Sequence, residues 1–410
     1  MATASGAPLV AIVGGGPAGL LAAQHLAEAG FRVQVFEQKA TVGRKFLVAG
    51  HGGFNLTNGE YAATFAEHYG AAAPFFAEAL AHFSPTDLRQ WAADLGIATF
   101  VGTSGRVFPE AQHKPADLLR AWLHRLAELG VALKTRHRWL GFAGATGLRF
   151  LNEITEEEFT LEPAATVLAL GGASWSQTGS DGHWTQFLAG IGVRCQPFAP
   201  SNCGAEVAWS AFFKEKIGRA PLKNITLSCG GHTVRGELML TDYGLEGTPV
   251  YALTPQLRAA LAQGQPAWLH LNLKPDLALE EVQRRLARRR PSDSLASFLG
   301  GAFSLKAPVP TLLRELAAPA ADLAGSLTAL AIPVVGLRPL AEAISSAGGV
   351  AFSEVTEGLM LRQRPGTFVA GEMLDWEAPT GGYLLQGCFS TGAWAARAIV
   401  NEQKSTILFS

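Results

Sequence analysis

The chain has 410 residues, enough for two or three domains, and its 48% apolar and 16% charged residues exclude bulk disorder. A formal net charge of -1 produces no long-range electrostatic field that would attract nucleic acid or an acidic membrane. The four cysteines include no CxxC pair, which argues against a dithiol centre or a zinc ribbon. Neither a signal-like segment nor a run of about 18 apolar residues is found, so we expect a cytoplasmic protein with no membrane partner.

The first predicted element is a buried strand from Leu9 to Val13, which runs directly into the glycine-rich turn GGGPAG. In such a turn the first glycine allows a tight bend, the second lets the backbone approach a pyrophosphate, and the third lets the next helix pack on the strand. The helix extends to about Ala29, and its free N–H groups favour phosphate. The residues of this turn predicted to bind a cofactor are Gly14, Gly16, Pro17, Ala18 and Gly19.

A second strand, Arg32 to Phe36, ends in an acid, Glu37, which lies 23 residues after Gly14. This spacing is typical of a carboxylate that accepts a hydrogen bond from a ribose 2′-hydroxyl. The carboxylate would also repel a 2′-phosphate, which disfavours NADP. Glu37 and the adjacent Gln38 are therefore predicted to bind the cofactor, which on these residues alone is NAD or FAD.

The region that follows alternates between helices and strands. In chain order it predicts a glycine loop from Gly43 to Asn58, a helical stretch from Pro74 to Leu95 with a fresh start at Ser84, a helix from Pro115 to Leu129, a parallel strand from Val131 to Arg136, an antiparallel excursion from Leu148 to Leu161 and a buried strand from Val167 to Leu170. We predict that Gly171 and Gly172, at the end of that strand, pass near the adenosine half of the cofactor; an ordinary turn is the alternative.

The composition changes near Gln196, where short strands and turns begin. Predicted strands there cover 225–229, 233–240 and 249–253, and a helical pattern follows over 276–331. A buried strand then returns before Gly371, and the last helix is predicted from about Gln386 to Asn401.

The C-terminal half distinguishes FAD from NAD. Gly371 and Glu372 end the returning strand, and Gly381 and Gly382 then precede a helix, so a second cofactor-facing element joins the same sheet. An acid at a second strand end suits the ribityl chain of the long FAD molecule, and the helix N-terminus stabilises negative charge on a reduced flavin. We therefore predict FAD, with these four residues and Tyr383 among its contacts.

Three segments carry a resemblance to a known family: GGGPAGL near the start, residues 43–58 and residues 370–386. They resemble the bacterial flavoproteins of the YhiN or aminoacetone-oxidase-like family, and residues 105–109 and 236–241 extend the resemblance over nearly the whole chain. The resemblance implies non-covalent FAD in a glutathione-reductase-like Rossmann domain, with an inserted β-barrel-like domain and a small helical domain. The activities it implies are amine oxidation, reduction of an enone in bile-acid metabolism and modification of ribosomal RNA.

These observations predict an α/β fold with a discontinuous Rossmann domain. Its predicted residues are 1–195 and 346–410, the β-rich substrate domain covers 196–275 and 332–345, and the helical domain covers 276–331. Because ligand pockets favour domain interfaces, we expect a small-molecule substrate between the Rossmann and inserted domains.

The glycine loop supplies further predicted FAD contacts. We expect Arg44 and Lys45 to face phosphate or the O2/N1 edge of the flavin, Asn55 to bond the pyrimidine rim, and Gly43 to allow close backbone approach. The alternative is that both cations are solvated loop charges. Where the family usually reads GGGRCN, this chain reads GHGGFN over 50–55, so any role of that Arg and Cys does not transfer and a subfamily with different chemistry is indicated.

No catalytic acid or base is assigned from the sequence. His51 lies among glycines and has a side chain that titrates near neutral pH, but a solvated loop histidine is the favoured interpretation. Asp375, Trp376 and Tyr383 flank the predicted flavin site and are candidates to shape a substrate pocket, but core packing explains them at least as well. Neither a Ser/His/Asp nucleophile pattern nor metal-ligand spacing is found.

A basic segment runs from Arg284 to Arg290 after Glu280 and Glu281. The favoured interpretation is a solvated helix whose C-terminal cations interact with the dipole, because the net charge is near neutral and no aromatic residues are interleaved. An RNA-contacting patch is the alternative.

The sequence thus predicts a FAD-dependent oxidoreductase that transfers a hydride between flavin N5 and a small substrate. A second GxGxxG after a strand is not found, so NAD(P)H, if it is the reductant, must reach the substrate face; O₂ or another acceptor is the alternative co-substrate. Flavin-dependent modification of ribosomal RNA and a non-catalytic flavin-binding protein are the competing hypotheses.

Overall fold

The computed structural model of the protein describes residues 6–48, 53–264, 266–316 and 322–408. The chain divides into two compact units, one formed by Met1–Ala199 with Ser345–Ser410 and the other by Pro200–Ile344. Each unit has its own cluster of buried apolar side chains.

The strands are numbered in chain order. They are β1 (Leu9–Val13), β2 (Arg32–Glu37), β3 (Thr57–Asn58), β4 (Thr99–Val101), β5 (Arg106–Pro109), β6 (Ala132–Thr135), β7 (His137–Ala143), β8 (Gly147–Asn152), β9 (Glu157–Leu161), β10 (Ala165–Leu168), β11 (Cys195–Ser201), β12 (Ala205–Glu206), β13 (Ala220–Cys229), β14 (His232–Leu240), β15 (Gly244–Glu246), β16 (Ala267–Asn272), β17 (Leu330–Val334), β18 (Gly336–Leu337), β19 (Ser345–Val350) and β20 (Thr367–Val369).

The α-helices are numbered in the same way. They are α1 (Pro17–Glu28), α2 (Arg44–Val48), α3 (Ala62–Glu67), α4 (Ala73–His82), α5 (Pro85–Asp94), α6 (Pro115–Glu128), α7 (Trp184–Ala189), α8 (Ala211–Ile217), α9 (Thr248–Ala252), α10 (Thr254–Leu261), α11 (Leu279–Leu286), α12 (Leu295–Phe303), α13 (Val309–Leu316), α14 (Leu323–Thr328) and α15 (Tyr383–Leu408). No helix in the described ranges is both long and apolar enough to cross a membrane.

The first unit is built on a five-stranded parallel sheet in the order β20-β10-β1-β2-β6. All five residues of β1 are buried, as expected for a central parallel strand covered on both faces. Helices α1 and α15 pack closely, since a Cβ added at Gly392 would lie 2.3 Å from the carbonyl oxygen of Ala18. The predicted α/β class with a discontinuous Rossmann sheet is confirmed.

Local signals placed most elements of this unit correctly. Ser84 caps α5: its hydroxyl accepts from the Asp87 N–H, and the Asp87 carboxylate accepts from the Ser84 N–H, which explains the fresh helix start. The predicted antiparallel excursion over 148–161 corresponds to β8 and β9, which form an antiparallel sheet with β7, a strand that was not predicted. The final helix begins at Tyr383, three residues earlier than predicted, directly after two glycines with positive φ.

The second unit contains a seven-stranded sheet in the order β17-β16-β13-β14-β15-β12-β18. The strands at the two ends of this order, β17 and β18, are consecutive in the chain, and only Val335 separates them. Because β17 pairs with β16 and β18 pairs with β12, the sheet closes on itself. The Val335 N–H donates to the Glu206 carbonyl at 2.9 Å, which continues the pairing across the join. The expected β-barrel-like insert is therefore confirmed.

One predicted strand in this unit is wrong. Residues 249–253 were expected to be extended, but Thr248–Ala252 form helix α9. Gly247 has a φ of 117° and turns the chain, and Pro249 occupies the first helical turn, where its missing N–H costs nothing. Helices α11 to α14 bury side chains in the same cluster as the barrel strands, and a separate helical domain over 276–331 stays a prediction.

Candidate functional site

A cleft in the first unit lies where the central parallel strands end, at the carboxyl edge at which open α/β sheets bind ligands. The predicted cofactor residues that line it are Gly14, Gly16, Pro17, Ala18, Glu37, Gln38, Gly43, Arg44, Lys45, Gly171, Gly371 and Glu372. The sheet therefore brings together residues that are more than 300 positions apart in the chain.

The glycines of the turn after β1 differ in what an added side chain would meet. Gly14 has a φ of 111°, and a Cβ there would lie 2.2 Å from the Ala169 carbonyl oxygen. A Cβ at Gly19 would lie 2.1 Å from the Gly14 carbonyl oxygen, so Gly19 serves close helix–strand packing and does not line the cleft. A Cβ at Gly16 would meet nothing within 4 Å, because this residue faces the open cleft. The turn thus leaves backbone exposed to a ligand at Gly16.

Glu37 is fixed by the backbone at the end of β2. Its carboxylate accepts hydrogen bonds from the N–H groups of Gly15 at 3.0 Å and Lys39 at 2.8 Å. Burial raises the pKa of Glu37, and those two hydrogen bonds partly oppose the shift. The Gln38 side chain donates to the Gly179 carbonyl, so this amide helps shape the wall of the cleft.

An ion pair crosses the cleft wall between two predicted site residues. Lys45 Nζ donates to Glu372 Oε2 and to Ser174 Oγ, both at 2.8 Å. The Glu372 side chain is only 13% exposed, so this cation compensates for burial of its carboxylate. Arg44 is exposed and makes no ion pair with a described residue.

The other predicted residues lie outside this cleft. Gly172 is packed against Ser346, whose Oγ would be 2.0 Å from an added Cβ and accepts the Ala173 N–H. Gly382 has a φ of 97°, and a Cβ there would lie 2.4 Å from the Thr57 carbonyl carbon. Gly381 likewise has a positive φ and precedes Tyr383 at the start of α15.

Asn55 holds a buried acceptor without a partner. Its Nδ2 donates to the carbonyl oxygens of Thr57 at 2.7 Å and Val107 at 3.0 Å, which fixes the orientation of the amide. Its Oδ1 is buried and has no hydrogen-bond partner among the residues that the structure describes. A buried polar atom of this kind calls for a partner, and a ligand N–H would supply one.

Tyr383 belongs to a cluster that sequence reasoning missed. Its hydroxyl donates to Glu60 Oε1 at 2.9 Å, and Glu60 Oε2 lies 2.9 Å from His68 Nε2. The His68 ring stacks on the Tyr383 ring with centroids 4.1 Å apart. Tyr383 is more than 300 residues from the other two in the sequence, and neither Glu60 nor His68 stands in a recognisable motif.

Several cleft residues were also missed, most of them aromatic or polar. They are Phe36, His137, Arg138, Trp139, Thr178, Gly179, Ser180, Asp181, His183, Trp184, Phe187 and Cys388. A signal for three of them existed, because His137 to Trp139 directly follow the predicted parallel strand and so lie at its carboxyl end. The indole Nε1 of Trp139 is buried without a partner in the described chain.

The remaining candidates give no catalytic group. His51 lies outside the described residues. Trp376 is buried, makes edge-to-face contacts with Tyr69 and Phe76 and donates to the Gly371 carbonyl, so it packs in the core. Burial raises the pKa of Asp375. Within the described ranges, no group of three or more His, Cys, Asp or Glu residues could hold a metal ion.

The basic segment is partly neutralised. Glu281 pairs with both Arg284 and Arg285, the latter at the i,i+4 spacing of a helix. Arg288 and Arg290 follow the end of α11, are exposed and make no ion pair with a described residue.

Three observations, two in the cleft and one at Asn55 outside it, fit FAD. The open Gly16 and the N-terminus of α1 offer backbone N–H groups to a pyrophosphate, and Glu37 offers a carboxylate to a ribose. The unpartnered Asn55 Oδ1 offers an acceptor near the start of α15, where an isoalloxazine N–H would be a suitable donor.

Comparison with known proteins supplies the family. The family description "HI0933-like protein Rossmann domain" matches residues 8–398. The chain belongs to the HI0933-like family. The resemblance read from the three sequence segments is thereby confirmed.

Relatives of this HI0933-like chain include two characterised bacterial proteins. It is 27% identical over 414 residues to the 3-dehydro-bile acid delta(4,6)-reductase of Clostridium scindens, covering 95% of this chain and 98% of that one. It is 25% identical over 417 residues to the ribosomal RNA dihydrouridine synthase of Escherichia coli, covering 96% and 98%. The solved 3-ketosteroid delta1-dehydrogenase of Sterolibacterium denitrificans shares the fold, with a TM-score of 0.53, 13% identity and coverage of 96% and 99%.

These findings establish the class of the protein. The HI0933-like chain is a FAD-dependent oxidoreductase, and the prediction of FAD is confirmed.

Proposed function

We propose that this protein is a reductase that adds a hydride and a proton across a carbon–carbon double bond conjugated to a carbonyl group. The observation that carries the proposal is a chemistry common to its two full-length relatives. A 3-dehydro bile acid with a delta(4,6) system is a conjugated dienone, and dihydrouridine is uridine whose C5–C6 double bond, conjugated to the C4 carbonyl, has been reduced.

The substrates in those two names differ greatly in size and polarity, but the reacting group is the same. In both, the carbonyl polarises the double bond, so that a hydride adds to the β-carbon and a proton to the α-carbon. Reduced FAD supplies a hydride to such a carbon. We propose the shared reaction for this protein, and neither of the two substrates.

The chain's own residues would position the cofactor for this step. Glu37 would bind the ribose, the backbone at Gly16 and the N-terminus of α1 would bind the pyrophosphate, and the Lys45–Glu372 pair would contact the linker to the ring. The electron donor would be a nicotinamide nucleotide that visits the substrate face, because the chain has a single GxGxxG turn after a strand.

An anaerobic two-step experiment tests the proposal. The purified yellow protein is mixed with NADH or NADPH to follow flavin bleaching, and the reduced protein is then mixed with 2-cyclohexenone or 4-androstene-3,17-dione to follow return of the yellow colour. We expect bleaching by one nucleotide and reoxidation by at least one enone, with the saturated ketone as product. Bleaching only by amines would indicate an oxidase, and no redox change with any of these reagents would favour a non-catalytic flavin-binding protein.

Ribosomal RNA is the second candidate substrate. Arg288 and Arg290 favour it, because both are exposed, neither makes an ion pair with a described residue, and exposed cations contact phosphate in RNA complexes. Reversal of both charges to Glu should abolish salt-sensitive binding to ribosomal RNA if the segment contacts it. Unchanged binding would reject the role of this segment, and absence of binding in the wild type would reject RNA as the substrate.

A further inference from the structure

Three side chains form a hydrogen-bonded chain from the start of α15 to the protein surface. The Tyr383 side chain is 5% exposed, and its hydroxyl points to Glu60, whose side chain is 34% exposed. Glu60 in turn contacts His68, which is 36% exposed. We call Tyr383, Glu60 and His68 the Tyr383 cluster. It links a buried phenol to solvent through a carboxyl group and an imidazole ring.

Tyr383 lies outside the lining of the FAD cleft, at the start of the helix that we assign to the flavin ring. Cys388 lines the FAD cleft and lies five residues after Tyr383 on the same helix, which corresponds to about 7.5 Å along the axis. Gly382 is in van der Waals contact with Thr57, and the Thr57 carbonyl accepts from the Asn55 amide whose Oδ1 has no partner. The phenol and this unpartnered acceptor therefore flank the same helix start.

The surroundings keep the phenol protonated. Burial raises the pKa of Tyr383 first, and the Glu60 carboxylate raises it further, whereas Arg106 opposes the shift. Tyr69 also contacts this residue, but its hydroxyl donates to the Tyr383 carbonyl oxygen at 2.7 Å and not to the phenol. The Tyr383 side chain is thus a neutral acid whose proton can be replaced by way of Glu60 and His68.

We propose that Tyr383 is the proton donor in double-bond reduction, and that Glu60 and His68 return a proton to it from solvent. The inference rests on the proposed function, since it assigns the acid of that reaction. It gives Tyr383, predicted from the sequence as a cofactor contact or a residue of the substrate pocket, the role of a proton donor to the substrate.

The proposed step balances as follows. The β-carbon of the substrate would accept the hydride that bound FAD supplies once a nicotinamide nucleotide has reduced it, and the electron pair of the double bond would move toward the carbonyl as an enolate. The Tyr383 O–H bond breaks, its proton bonds to the α-carbon, and the carbonyl re-forms. The phenolate then regains one proton through Glu60 and His68, so the substrate gains two hydrogens and the flavin is oxidised.

Tyr383→Phe tests the donor without changing the shape of the ring. The variant is reduced anaerobically with the nicotinamide nucleotide and then reoxidised either with the enone that the wild type reduces or with ferricyanide, which takes electrons without needing a proton at carbon. We expect reoxidation by the enone to slow about 100-fold or more, with unchanged rates of flavin reduction and of reoxidation by ferricyanide. Glu60→Gln and His68→Asn should slow the enone step less, and should alter its solvent isotope effect.

Tyr61→Phe is the matched control, since Tyr61 is adjacent to Glu60 but 88% exposed. It should behave as the wild type. Equal slowing of all three reactions by Tyr383→Phe would indicate a structural role and overturn the proposal, as would a normal enone rate. If the wild type reduces no enone, the proposed function itself fails, and the donor assignment falls with it.

A measurement without turnover checks the cluster separately. The thermal midpoints of Tyr383→Phe, Glu60→Gln and the double variant are compared. Because the two side chains share one hydrogen bond, the double variant should lose little more than the larger single loss. Fully additive losses would show that the two side chains are uncoupled and would reject the relay.

Discussion

The first unit contains two glycine-rich helix starts that differ in what surrounds them. At the start of α1, the nearby acid Glu37 is held by backbone N–H groups of Gly15 and Lys39. At the start of α15, the ionisable groups contact one another through side chains, and the chain of contacts reaches half-exposed residues. A fixed, backbone-bound charge suits binding of a cofactor, whereas linked side chains that reach solvent suit movement of a proton.

The largest expected effect concerns glycines that both helix starts need for steric reasons. Gly14→Ala and Gly382→Ala each force a positive φ on an L-residue and place a Cβ within 2.5 Å of backbone atoms. Strain and displacement together should lower the free energy of unfolding by about 3 kcal/mol or more, measured by urea unfolding.

Gly16→Ala is the matched control at the first helix start. Its φ is ordinary and the added Cβ meets no atom within 4 Å, so the stability should change by less than about 1 kcal/mol. FAD should nevertheless bind about tenfold or more weakly in a titration of the apoprotein, because the methyl group occupies the face offered to the pyrophosphate. Unchanged FAD affinity would contradict the assignment of Gly16.

A smaller effect is expected from the ion pair in the cleft. Lys45→Met leaves the Glu372 carboxylate, 13% exposed, without its cation and should cost about 1–2 kcal/mol of unfolding free energy. Arg44→Met removes an adjacent exposed cation and should leave stability unchanged. Comparable losses of unfolding free energy in both variants would mean that the Lys45–Glu372 ion pair stabilises the protein no more than an exposed cation does.

The same contrast explains which parts of the site could be predicted from the sequence. The first helix start is specified locally: a strand, three glycines and an acid at a set spacing, all within residues 9–37. The Tyr383 cluster depends on side chains at 60, 68 and 383 that only the tertiary fold brings together, so no local pattern reports it. The α9 error has a related cause, because Gly247 and Pro249 start a helix over a short apolar run whose period alone cannot distinguish strand from helix.

The smallest expected effect is a pH dependence at the first helix start. Because burial raises the pKa of Glu37 above its usual 4.5, the folded apoprotein binds this proton more tightly than the unfolded chain does. The contribution of Glu37 to the free energy of unfolding therefore falls as the pH rises from about 4.5 through the raised pKa. The Glu37→Gln variant has no group at this position that ionises.

The difference in unfolding free energy, wild type minus Glu37→Gln, should then fall as the pH rises from about 4.5 through the raised pKa, and all other titrating groups cancel in the comparison. FAD affinity should move the opposite way, since the ionised carboxylate is the better acceptor for a ribose hydroxyl. A stability difference that grew with pH would mean that the N–H groups of Gly15 and Lys39 outweigh burial. The ionised Glu37 carboxylate would then not destabilise the fold. The first helix start would differ even more from the Tyr383 cluster, where the ionisable groups contact one another through side chains.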